Sequence, residues 1–416
     1  MDQKINKVCG IDVHKLFVFA AVMIRGVEEP MTKRFSTDSK GLLELRNWLK
    51  ENNVERVAME STGIYWRIVY WALQDCFEMI LANAKEIHDL KQVRRKTDKR
   101  DCIWIARLCL SDMITPSYVP TWDIQQLKDL FRARVNYVEM RTECKNIVHK
   151  HLDIMNIRLG TCLSNIFGKA GTQILDDLVK GCTIEQIMER ITDKRILRKK
   201  EDIVQSLQGT LNSSSILIIK MHLESIQDID AKISELDAKI DDMLQDLHAE
   251  ELRILLTVPG VGSNAAANII SEIGDISFFE TADQLTSWAG LAPSSHSTGG
   301  KVINGRIGKT GNRYLRRILI QVAHAAVRTK GSVLGRFYRR VMKRRGAPIA
   351  IVALARKILA IVHHLWTNME PYEELGFKKK VRHQKACECD EFEISGAFEI
   401  IGKAENKIST TGGGCG

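Results

Sequence analysis

Apolar positions in the first 110 residues fall into short runs separated by stretches of helical spacing. Two runs, at about 5–12 and 16–25, flank the polar Val13, His14 and Lys15, which predicts a β-hairpin, and 30–36 can supply a third strand. Leu42, Leu45, Trp48 and Leu49 share one face of a helix over 39–49. Val54–Met59 then reads as a strand, Ile64–Leu73 as a helix, Phe77–Ala82 as a strand, and Ala84–Leu110 as mainly helical. Further on, Leu127, Leu130, Phe131 and Val135 keep helical spacing within 124–158, whereas 160–215 is less periodic. Ile226, Ile229, Ile233, Leu236, Ile240, Met243 and Leu247 recur at intervals of three and four with charges between them, the pattern of a coiled-coil seam. The seam can be satisfied within the chain or by self-association into a dimer or tetramer. Pro259–Gly262 separates two apolar helical stretches and resembles a helix-hairpin-helix turn, although any tight helix connection uses the same glycines.

These elements predict four parts: 1–118 as a mixed α/β sheet domain, 119–250 as a helical region with its coiled coil at about 219–250, 251–382 as a mostly helical domain, and 383–416 as a disordered tail. The strand and helix order of the first part is that of a ribonuclease-H-like domain. In that order Asp12 lies on the first strand, Glu60 ends the fourth, and Asp98 and Asp101, three apart, share one face of the last helix. A carboxylate at the end of an apolar strand is hard to explain as packing. Four together suit hard cations: Mg²⁺ takes oxygen ligands and keeps several waters, and two such ions, with Mn²⁺ as the alternative, can serve phosphodiester cleavage. Each residue also has a structural explanation. Asp98 could cap a helix with Asp101 in its first turn, Glu60 could begin a turn, and Asp12 could bond hairpin amides.

Charge adds a second feature. The 416 residues carry a formal +10, but 301–382 alone holds 20 Lys and Arg against 3 Glu, which is +17 and leaves −7 elsewhere. Such an excess is a polyanion-binding footprint for DNA or RNA. Helical runs carry it, with Arg313, Arg316 and Arg317 alternating with an apolar stripe and a second cluster over 336–345. The hydrophobic share is 44% with no unbroken run of about 18 apolar residues, and the N-terminus lacks signal-peptide character, so a soluble cytoplasmic protein without a membrane partner is expected. Ten scattered cysteines without a Cys-x-x-Cys pair read as reduced thiols.

A second chemical site is suggested by 288–300, where Ser294, Ser295, Ser297 and Thr298 fall in a glycine-ended loop ahead of Lys301, Arg306, Lys309 and Arg313. A hydroxyl among such cations could attack a phosphate; the same residues also make an ordinary phosphate-binding or Ser-rich turn.

The ordered segments GIDVHK, MESTGIYW, KTDKRD, TVPGVG, WAGLAPSSHSTGGK and GRIGKTGNRYLRRILIQVA resemble the DEDD insertion-sequence transposases of the group called one-ten, including its one-eleven-eleven branch. The resemblance covers about residues 7–110 and 250–330. It implies an N-terminal domain like RuvC-type junction resolvases, a coiled coil, and a C-terminal transposase domain. It also implies recombination guided by a structured RNA, with metal and a serine nucleophile in a composite site built across protomers. Carried over by motif, the tetrad is Asp12, Glu60, Asp98 and Asp101. The family's serine directly precedes glycine; here that position is Thr298, and a serine stands one place earlier at Ser297. The expected activity is DNA strand cleavage and exchange through a phosphoseryl intermediate. The alternatives are a metal-dependent junction endonuclease that uses water, and a non-catalytic nucleic-acid scaffold.

Overall fold

The computed structural model describes residues 5–61, 63–84, 87, 98–298, 301–307 and 311–374, without the side chains of 294–298, 301–304 and 306. The expected tail, Lys309 and most of 84–97 lie outside the described residues.

The first hairpin forms where the polar break predicts it. β1 (Lys7–Val13) pairs antiparallel with β2 (Phe17–Ile24), which pairs antiparallel with β3 (Met31–Ser36). β4 (Arg56–Glu60) and β5 (Glu78–Ala82) extend the other side of β1 in parallel, giving a five-stranded mixed sheet in the order β3-β2-β1-β4-β5. Parallel neighbours need crossover helices. α1 (Ser39–Glu51) joins β3 to β4, and Asp38 fixes its start by accepting from the Gly41 amide at 2.7 Å. α2 (Trp66–Leu73) joins β4 to β5 and starts two residues later than the pattern predicts, because Gly63, at φ +66°, belongs to a turn over 63–65. Leu45, Leu49, Val69 and Leu73 from these helices bury one sheet face with Cys9, Ile11, Val57 and Met59. The opposite face, with Val8 and Ala58, is covered by α3 (Asp98–Leu110) through Cys102, Ile105, Ala106 and Cys109. This mixed sheet with helices is compatible with the α/β domain read from the sequence.

α4 (Trp122–Ile154) and α5 (Ser213–Leu247) form a long antiparallel pair. Arg134 pairs with Asp237 and Arg141 with Asp230, so the partners advance seven residues on one helix and retreat seven on the other. Seven residues are two helical turns, which keeps both ion pairs on one edge. The seam over 226–247 is thereby met inside the chain: Ile226, Ile229, Ile233 and Ile240 are buried. Leu236 and Met243 of the seam are half-buried, and Leu247 at its end is exposed. One end of the pair, with Val148, Leu152, Ile219 and Leu223, joins short helices over 159–206 in a separate core. At the other end Leu127, Phe131, Ile240 and Leu244 enter the C-terminal core.

That core gathers α6 (Ala249–Leu256), α7 (Ser263–Ile273), α8 (Ala282–Trp288), α9 (Arg313–Arg328), α10 (Val333–Arg345) and α11 (Ala347–Asn368). The turn over 259–262 lies flat on α9. A Cβ on Gly260 would stand 2.6 Å from the Ala326 amide nitrogen, so this glycine serves close packing. The segment read as a serine loop is instead a strand: β6 (Pro293–Thr298) pairs antiparallel with β7 (Lys301–Ile307). Thr298 stands opposite Lys301 at the end of the pair. The 22 residues of α11 are long and apolar enough to cross a bilayer. Arg356 and Lys357 interrupt its apolar run, and Leu354, Ile358, Leu359 and Val362 are buried in the C-terminal core.

Candidate active site and nucleic-acid surface

The sheet's pleat brings two of the sequence-predicted carboxylates to one place. Along β1, Cys9 and Ile11 face the α1/α2 side, so Gly10 and Asp12 face α3; along β4, Val57 and Met59 face α1/α2, so Ala58 and Glu60 face α3. Ile11 is in register with Met59 on the parallel neighbour, which sets Asp12 and Glu60 side by side, one residue further, at the ends of adjacent strands. The third partner arrives because β1 has no side chain where α3 crosses it. A Cβ on Gly10 would stand 2.2 Å from the Ala106 nitrogen and 2.3 Å from the Cys102 oxygen, so only glycine permits this approach. It delivers the first turn of α3, with Asp98 and Asp101, to the Asp12 end of the sheet.

Asp12, His14 and Asp98 form a group whose ligand atoms all lie within 4.8 Å of one another. His14 Nε2 is 3.1 Å from Asp12 Oδ2 and 3.5 Å from Asp98 Oδ2. Asp101 is 8% exposed and Glu60 half-buried; both have partners within the chain. Burial pushes the Asp12 carboxyl up from its ordinary range; His14 opposes the shift, and Asp101 and Asp98 add to it. A carboxyl held above its usual range by burial and like charge suits an added cation, and the oxygen donors suit a hard one. The thiols beneath are inert. Burial raises Cys102 and Cys109 to about 12, and the seven cysteines among the described residues are free.

His14 is a site residue that the sequence reading took only as part of the hairpin break. Its signal was the spacing: two residues after Asp12, where a strand returns to the same face. Its amide donates to the Phe17 carbonyl at 2.9 Å, and the two rings lie 4.6 Å apart, so the turn holds it in place.

The C-terminal cations separate into two kinds. Residues 284–369 contain sixteen Lys and Arg and no Asp or Glu. On α9, Arg317 is ion-paired with Glu139 of α4, Arg316 has a partner within the chain, and Arg313 is exposed beside Tyr314, whose hydroxyl accepts from it at 2.8 Å. α10 differs. Arg339, Arg340, Lys343, Arg344 and Arg345 are exposed and have no ion-pair partner among the described residues, while Leu334, Phe337 and Tyr338 attach the helix to the core. Lys301 and Arg306 lie on β7, and Ser297 and Thr298 on β6, opposite Val302 and Lys301.

The base of the β6–β7 hairpin is held by a polar network that periodicity does not reveal. Asn312 caps α9, accepting from the amides of Tyr314 and Leu315 at 3.1 Å, and its side chain donates to Glu272 at 2.7 Å. Glu272 is 1% exposed and receives two 3.0 Å bonds from Arg132 of α4. Lys128, 6% exposed, lies in the same network; burial lowers it to about 8 despite the pull of Glu272. α4 in turn reaches the sheet domain through Asp129, which accepts from Arg67 of α2 at 2.7 Å.

Comparison with known proteins agrees with this geometry. Residues 9–157 match the transposase model DEDD_Tnp_IS110, and 252–339 match that of the IS116/IS110/IS902 transposase family, together more than half of the chain. A Pseudomonas aeruginosa protein described as "Probable family 20 transposase" is 35% identical over 36% of this chain and 44% of its own length. The transposase for insertion sequence element IS1111A of Coxiella burnetii is 35% identical over 33% of this chain and 40% of its own length. The pilin gene-inverting protein of Moraxella bovis is 23% identical but aligned over 88% of this chain and 97% of its own. Sheet, carboxylate group and matches together define the class, the DNA transposase and recombinase enzymes. Within it, the chain belongs to the IS110 family of DEDD transposases.

Proposed function

We propose that this protein cuts and rejoins DNA strands to mobilise an insertion sequence, as a recombinase that joins itself covalently to DNA. The observation that carries the reading is the convergence of Asp12, Glu60 and the first turn of α3 on one side of the sheet. Asp12, Glu60, Asp98 and Asp101 would hold Mg²⁺, as a pair of ions, which when bound polarises the scissile phosphate and stabilises the leaving oxygen. Around it, Asp12 and Glu60 fix the ligand positions from rigid strands, and Asp98 and Asp101 close the site from the helix. Ser297, or Thr298 beside it, supplies the hydroxyl. Its oxygen forms a bond to phosphorus as the bond to the deoxyribose oxygen breaks, and its proton passes to solvent or a nearby base.

The sheet domain takes the role of a RuvC-like nuclease, and α4–α5 that of the family's coiled coil. A dimer or tetramer would bring hydroxyl and carboxylates of different protomers into one composite site, with a structured guide RNA selecting the DNA. The long match to a pilin gene-inverting protein favours a second outcome of the same chemistry, inversion of a DNA segment. Either reaction belongs in the bacterial cytosol, at the nucleoid.

Trapping on element-end DNA tests the chemistry. A covalent protein–DNA adduct is expected, lost in Ser297→Ala and only slowed in Thr298→Ala. The reverse pattern moves the nucleophile to Thr298. Mg²⁺-dependent nicking without an adduct identifies a water-using endonuclease, and neither product leaves a nucleic-acid scaffold.

Binding should follow the division of cations between α9 and α10. Replacing Arg339, Arg340 and Lys343 by Ala is expected to flatten the slope of log affinity against log salt by about 0.9 per lost phosphate contact. Arg317→Ala should leave it nearly unchanged, since that guanidinium already serves Glu139. Equal effects of the two variants in a salt titration would contradict the assignment.

A further inference from the structure

We propose that His14 is a further ligand of the cation site, giving it a mixed nitrogen and oxygen donor set that prefers Mn²⁺ to Mg²⁺. The inference rests on the metal reading above and adds to the four carboxylates a residue outside the acidic tetrad.

Position carries the argument. His14 Nε2 lies between two carboxylates on different elements, 3.1 Å from Asp12 Oδ2 on β1 and 3.5 Å from Asp98 Oδ2 on α3. Neighbouring ligands of an octahedral ion, each at about 2.1 Å from it, stand about 3 Å apart. The two separations from His14 are therefore close to those a shared ion imposes, and the three ligand atoms lie within 4.8 Å of one another. The hairpin also holds the imidazole there. The His14 amide donates to Phe17, the Phe17 ring lies under the Arg34 guanidinium at 4.0 Å, and Thr37 donates to the Lys15 carbonyl at 2.8 Å. Were His14 a bystander, an ion held by Asp12 and Asp98 would have to expel it from a fixed turn.

The donor set decides the preference. Mg²⁺ favours oxygen and dehydrates reluctantly, whereas imidazole suits the transition metals. Replacing one oxygen by nitrogen therefore favours Mn²⁺ over Mg²⁺.

Pulsed EPR of the full-length protein loaded with Mn²⁺ tests this without reference to catalysis. A ¹⁴N coupling from one imidazole is expected, replaced by ¹⁵N coupling when the protein is made with ¹⁵N-histidine, and lost in both His14→Ala and His14→Gln. Mn²⁺ affinity should fall about tenfold or more in these variants, while Mg²⁺ affinity, read by competition, changes less than about threefold. Mn²⁺ bound with no nitrogen coupling, yet released by Asp12→Asn, overturns the role of His14 and leaves the carboxylate site standing. Mn²⁺ binding indifferent to Asp12→Asn overturns both.

Discussion

Asp12→Asn is expected to remove strand cleavage and, in the absence of divalent cations, to make the protein more stable at neutral pH. The two effects share one cause. Burial and the charges of Asp101 and Asp98 outweigh the help of His14 and hold the Asp12 carboxyl above its ordinary range. The folded protein then keeps its proton to higher pH than the unfolded chain does, so stability falls as pH rises from the unfolded value through the folded one, and stays reduced above it. Asparagine carries no such penalty. In EDTA the variant should therefore unfold at a higher temperature than the wild type at pH 7, the difference vanishing below about pH 4, where both side chains are neutral. Adding Mg²⁺ or Mn²⁺ should raise the wild type alone. Cleavage should drop by more than about 100-fold, since even outer-shell partners of metal ligands are worth 10- to 100-fold, with DNA binding little changed. A variant less stable than the wild type in EDTA at pH 7 would mean that Asp12 is a structural anion held by His14, and the cation reading would lose its electrostatic support.

Much of this site was legible because strands report burial strictly. Alternation along β1 and β4 has period two, so a carboxylate at the end of an apolar run declares both its face and its depth, and Asp12 and Glu60 could be paired before any register was known. Asp98 and Asp101 were legible through helical spacing. His14 was not, since a polar residue in a hairpin break is ordinary, and only the approach of α3 over Gly10 gives it a second carboxylate. That approach is itself written in one glycine, whose meaning depends on a partner 92 residues away.

Elsewhere the pattern named an element without naming its partner. The seam over 226–247 predicts an apolar stripe, and the stripe is real, but periodicity does not say which helix covers it; the matching charges on α4 do, at Arg134 and Arg141. The serine segment failed for a different reason. Its polar residues look like a loop, and the strand becomes visible only when Val302 and Ile303 of the partner strand are read with it. Composition gave the total charge of the C-terminal region, but not which cations the fold had already engaged: Arg317 is engaged by Glu139, whereas α10 keeps its outer row exposed.

The largest loss of stability is expected at Glu272, which no motif marks. Glu272→Ala would leave the Arg132 guanidinium and the buried Lys128 ammonium without their shared anion, and would strip Asn312 of the acceptor that orients the α9 cap. Breaking a buried pair from one side costs about 3–5 kcal/mol, because the remaining charge stays desolvated. Glu272→Gln should cost less, as its amide oxygen still accepts from Asn312 or Arg132. Adding Lys128→Met to Glu272→Gln should recover part of that loss by removing the uncompensated cation while keeping its aliphatic volume. Denaturant unfolding of the wild type, Glu272→Gln, Lys128→Met and the double variant completes the cycle. Because Asn312 follows the β6–β7 hairpin and its amide donates to the Trp288 carbonyl at 3.1 Å, loosening the cap also loosens the base on which Ser297 and Thr298 stand. Glu272→Gln should therefore slow covalent adduct formation even at temperatures where the protein remains folded and binds DNA normally. If the double variant proves less stable than Glu272→Gln alone, Lys128 is held by contacts other than the carboxylate, and the network does not work as one unit.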